Sequence, residues 1–120
     1  MKIKRITDVI SVEDDTTVCM FEIPEQVVDE HNTMYFSRVL CLRIVHCTPG
    51  YRICVFDMDY MMSTHISDDD ETTICTMYNN YINELNNDDK QNEAIYTKAN
   101  ETIMQHMLDH NMLNINEDGL

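Results

Sequence analysis

His106 and His110 lie four residues apart near the end of a 120-residue chain. On a helix that spacing puts both imidazoles on one face, as a metal pair requires. A zinc site would need one or two further ligands, with His65, Asp109 or a cysteine as candidates, and the Glu of an HExxH motif is missing. A polar helix edge accounts for the pair without a metal. The five cysteines, at 19, 41, 47, 54 and 75, form no CxxC and no even disulfide framework, which points to reduced thiols. Cys41, Cys47 and Cys54 fall on one face of a predicted hairpin, where cysteine serves as a small hydrophobe. The run Asp68-Asp69-Asp70-Glu71 lacks the Gly and the spacing of a calcium loop and fits a helix start. Gly50 and Gly119 are the only glycines, too few for a phosphate-cradling loop. No metal and no cofactor is assigned.

The segment Val55-Phe56-Asp57-Met58-Asp59-Tyr60 resembles the first motif of the haloacid-dehalogenase phosphatases, an apolar strand ending in Asp-x-Asp. The resemblance implies a nucleophile at Asp57 and a general acid/base at Asp59. Beyond it the chain departs: Tyr60-Met61-Met62 stand where that family has small, hydroxylated residues, and no room remains for a doubly wound parallel sheet. Two solvent-facing acids at a strand end are the simpler expectation. No catalytic residue is assigned, and the chain is expected not to be an enzyme.

The charge says more. Twenty-two acids against eight bases leave a net −14, well beyond the ~2–8 suited to a soluble small domain. Such a field repels nucleic acid and anionic membranes and draws in basic surfaces. The excess is unevenly spread: residues 31–56 hold three arginines and no acid, whereas residues 57–120 hold fourteen acids and two lysines. An acidic protein that neutralises a basic macromolecular partner is therefore expected, with Asp68, Asp69, Asp70, Glu71, Glu84, Asp88, Asp89 and Glu93 as its binding surface. A phage or viral inhibitor that mimics DNA at the nucleic-acid site of a host enzyme fits that charge and size, as does an immunity protein against a basic nuclease. Scarce Gly and Ala with eleven Asn fit an AT-rich coding sequence of the viral kind. The alternative is a homodimeric accessory protein associating through the 31–56 hairpin.

These residues need elements to hold them. A single domain is expected over 1–120, of α+β class: an antiparallel sheet of about four strands, in two hairpins, packed on a C-terminal antiparallel helix pair. Residues 2–12 and 17–23 are rich in β-branched and aromatic types and flank the acidic turn 13–15. Pro24 is expected to end the second strand and to open a helical turn over 25–31. Strands over 34–47 and 51–60 flank Thr48-Pro49-Gly50-Tyr51, a turn that pairs Cys47 with Arg52. That register puts Cys41, Arg43, Val45, Cys47, Cys54, Phe56 and Met58 on one face and Leu40, Leu42, Ile44, His46, Ile53 and Val55, with Asp57 and Asp59, on the other. Both faces are apolar at their centres, so helices should cover one and a second layer or dimer partner the other.

Residues 1–62 are thus mainly strands, while Ser67 opens a helical half, 67–113. There Ile74, Met77, Tyr78, Tyr81 and Leu85, and then Ile95, Ala99, Ile103 and Met107, recur at helical spacing on either side of Asn86–Asp89. Residues 114–120 read as a frayed tail. Most of the ten methionines are expected in the core, with Met61, Met62, Met104, Met107 and Met112 the candidates for exposure. The N-terminal MKIKRITDVI lacks the apolar run of a signal peptide, and Arg38, Arg43 and Asp57 interrupt the longest apolar stretches. Cytoplasm is the expected location, the host's if the protein is viral.

Overall fold

The computed structural model describes residues 3–13, 16–28, 33–47, 50–64 and 66–113. Six strand segments are followed by two helices: β1 Lys4–Arg5, β2 Ser11–Glu13, β3 Thr16–Val28, β4 Thr33–Cys47, β5 Gly50–Asp57, β6 Met62–Thr64, α1 Asp68–Ile82 and α2 Asp89–Asp109. All pairings are antiparallel, in the order β1-β3-β4-β5-β6. β2 pairs with the same edge of β3 as β1 does, so six segments fill five positions. The α+β architecture is the expected one, with β6 added and the first strand broken in two. The break is held by Thr7, whose hydroxyl accepts from Met20 N at 3.0 Å and whose carbonyl accepts from Cys19 Sγ.

The buried face of the sheet carries Cys19, Phe21, Ile23, Leu40, Leu42, Ile44, Ile53 and Val55, all at or below 7% exposure. Ile74 and Tyr78 from α1, and Ala99, Ile103, Met104 and Met107 from α2, complete this core. Met104 and Met107, candidates for exposure, are fully buried, because the i, i+3 spacing aims both at the sheet. Met61, in the β5–β6 turn, and Met62, the first residue of β6, are exposed. α2 crosses β3 and is pinned by Asn100, whose buried amide donates to Thr17 Oγ1 at 3.2 Å and to Tyr96 O at 2.8 Å. α1 crosses β5, where Tyr78 meets Tyr51 edge-to-face at 4.8 Å.

Three expectations are corrected. β3 does not end at Pro24 but continues to Val28, paired through Pro24↔Ser37, so residues 25–28 are strand and not a helical turn; 29–31 lie outside the described residues. Proline is tolerated there because β1 has already left that edge of β3 at Lys4↔Glu22. Cys47 pairs with Gly50, not Arg52, which leaves a two-residue connection. The shift of two preserves the side-chain period, so the two faces are composed as expected. Leu85 lies beyond α1, which closes at Asn83.

From Ile23↔Arg38 to Val28↔Thr33, six pairs of β3 and β4 have no third strand beside them among the described residues. This two-stranded ribbon projects by roughly 20 Å at ~3.4 Å per residue, and the molecule measures 55 × 30 × 22 Å.

Candidate functional site: the acidic helix layer

Each helix begins where its acids are concentrated. Ser67 caps α1, its Oγ accepting from Asp70 N at 3.2 Å, and Asp68–Glu71 form the first turn, where acids favour the macrodipole. Asp88 caps α2, with Oδ1 accepting from Lys90 N at 3.0 Å and Gln91 N at 3.2 Å. At its other end α2 stops in a left-handed residue, Asn111 (φ 53°). There Met112 N bonds Met107 O and Asn111 N bonds Leu108 O, satisfying the terminal carbonyls.

The eight candidate acids do not form one patch. Asp68, Asp69, Asp70 and Glu71 sit at the start of α1, and Glu84, Asp88 and Asp89 cluster at the α1–α2 connection. The 15 residues of α1 separate the groups by about 20 Å at ~1.5 Å per residue. Glu93 lies one turn into α2, in a groove of about 510 Å³ shared with Arg5, Asp8, Lys90, Lys98 and Glu101. Arg5 there bridges Asp8 at 3.3 Å and Glu101 at 3.0 Å, so the groove is mixed in charge.

Two of the eight have structural duties. Glu71 is half-buried, and its Oε2 accepts from Ile53 N at 3.3 Å, clamping α1 to β5 where β6 no longer covers it. Asp88 is committed to its cap. Asp68, Asp69, Glu84, Asp89 and Glu93 are exposed and enter no ion pair among the described residues. They are the carboxylates free to face a partner.

Asp57 is not a solvent-facing acid. It is 4% exposed, with Oδ2 2.9 Å from Arg38 Nε and Oδ1 accepting from Asp59 N and Tyr60 N. Tyr60 covers the guanidinium at 4.2 Å, and Asp59 Oδ2 accepts from Val39 N at 2.8 Å. Both oxygens of Asp57 are engaged in holding the β5–β6 turn, which leaves no free nucleophile of the phosphatase kind. Arg38 was visible in the sequence only as an interruption of an apolar run; its partner 19 residues away required the register.

The histidine rings meet at 4.2 Å between centroids, and burial, with His110 beside it, holds His106 below its ordinary value of 6.5. Asp109 and Asp70 oppose that shift. Among the described residues no three His, Cys, Asp or Glu side chains converge as a metal site would require. Burial raises the Cys19 thiol to about 11 and also raises Cys41 and Cys75. Among the described residues no helix is long and apolar enough to cross a membrane. Comparison of the chain with protein-family models, curated proteins and solved structures finds no match.

Proposed function

We propose that the protein is an acidic binding module, not an enzyme, that captures a basic macromolecular partner through its helix layer. The supporting observation is the placement of Asp68 and Asp69 at one end of α1 and Glu84 and Asp89 at the other, exposed and outside any ion pair among the described residues. Two anionic clusters about 20 Å apart span roughly six nucleotide steps of one strand at ~3.4 Å each. A nucleic-acid-binding surface is thus the partner they fit, with inhibition by DNA mimicry or immunity against a nuclease as the biological role. Such contacts steer association and fix orientation more than they add affinity.

The test is capture from a lysate of the encoding organism or its host, with stepped salt elution. A basic nucleic-acid-binding protein should be released near ~0.5 M salt, where screening has shortened to roughly 4 Å, and duplex DNA should compete. The variant carrying Asp68→Asn, Asp69→Asn, Glu84→Gln and Asp89→Asn should capture at least about tenfold less. Equal capture by that variant would remove the acidic layer as the binding surface.

A further inference from the structure

The sheet has a second face. Cross-strand neighbours Met20–Cys41–Phe56, Val18–Arg43–Cys54 and Val45–Arg52 alternate with the core residues and therefore point away from both helices. Met58 N continues the register by bonding Val39 O, which adds Val39 and the exposed Met58 to the same side. An antiparallel sheet with one wet face normally alternates apolar-in with polar-out. Here Val18, Met20, Cys41, Val45 and Phe56 are only half-buried. Apolar residues at the centre of an open face mark an interaction surface.

Charge and size select the occupant. Among the side chains described, this face carries Lys4, Arg43 and Arg52 against Glu22, whereas Asp68, Asp69, Glu84, Asp89 and Glu93 lie on the helix side. Any contact between two copies through the helices would bring like fields together. Contact through the sheets puts the two helix layers on opposite outer sides, beyond the ~8–10 Å screening length. Four strand positions at ~4.8 Å by eight residues at ~3.4 Å give roughly 500 Å² of footprint, so on the order of 1,000 Å² across two copies, where specific interfaces begin. We infer that a second copy of this chain packs face to face on the sheet, forming a two-fold dimer of helix–sheet–sheet–helix layers. The contact is isologous, so the same apolar patch serves both sides.

Sedimentation from about 1 to about 100 µM, the span of weak to moderate affinities, tests this on the whole chain. The mass should rise from 14.1 kDa to twice that value. Added salt should leave the dimer intact or tighten it, because it screens the repulsion between two −14 molecules. Phe56→Glu and Val45→Glu should each weaken dimerisation at least tenfold. A measurement on the unmodified chain removes dependence on those variants folding: the exposed Cys54 should become slower to alkylate as concentration rises, while Cys75, on α1, should not change. A monomer throughout the range with constant Cys54 reactivity overturns the inference and leaves the face to a different partner. A dimer that salt dissolves and Phe56→Glu spares also overturns it, by placing the contact elsewhere.

Discussion

Asp57 shows how far a residue's role depends on its neighbours. Its Asp-x-Asp spacing suggested chemistry or simple exposure, yet the fold buries it against Arg38 and two backbone N–H groups, of Asp59 and Tyr60, turn it into a brace. Breaking a buried pair from one side strands the other charge, which costs about 3–5 kcal/mol. Asp57→Asn is expected to lower the unfolding free energy in urea by about 3 kcal/mol; a loss below about 0.5 kcal/mol, typical of surface changes, would show the pair to be solvated. Cys19 makes a pH prediction. Its thiol rises from 9.0 to about 11 because the folded chain desolvates it. The folded state then holds a proton that the unfolded state releases, so stability falls as pH climbs from 9 to 11. Cys19→Ala should flatten that decline in thermal melts, and an unchanged slope would assign the decline to other groups. Composition alone nominated the eight candidate acids, but it could not tell Glu71 and Asp88, held by backbone N–H groups, or the half-buried Asp70, from the five that are exposed. That difference lies in hydrogen bonds to Ile53, Lys90 and Gln91, which spacing does not encode.

At the scale of elements, helices were the most legible. Ser67 and Asp88 announce caps, and Ile74, Tyr78, Ala99, Ile103 and Met107 keep a 3.6-residue period because one stripe must meet one sheet face. The β4–β5 faces were legible for a similar reason: a two-residue register shift leaves the alternation untouched, so the error at Cys47 was silent. Pro24 misled, since proline breaks a strand only where a ladder needs its N–H. β6 was invisible because three residues give no periodicity. The ribbon beyond Ile23↔Arg38 is an element with its own stability, as a two-stranded hairpin is marginal in water. In hydrogen exchange, amides of 25–28 and 33–37 should lose protection at least about 100-fold faster than Leu42 and Ile44, opening without global unfolding. Equal rates would mean that the ribbon and core open as one unit.

The whole molecule divides its labour between two sides. The helix layer exports negative charge, the sheet exposes an apolar face with two arginines, and the five-position sheet keeps these two surfaces apart. The charge split was readable as residues 31–56 against 57–120, but which side each segment faces depended on pairing partners far apart in sequence. The ribbon, finally, casts the acidic excess in another light. Among the described residues no strand pairs with either of its flanks, which leaves edges of the kind on which strands from other molecules add. Elsewhere the sheet is protected, by a broken strand at one margin and a three-residue strand at the other. Between ribbons the main safeguard is mutual repulsion, which vanishes as the carboxylates take up protons near pH ~4. Acidification would then leave the projecting ribbon as a template for strand addition between molecules.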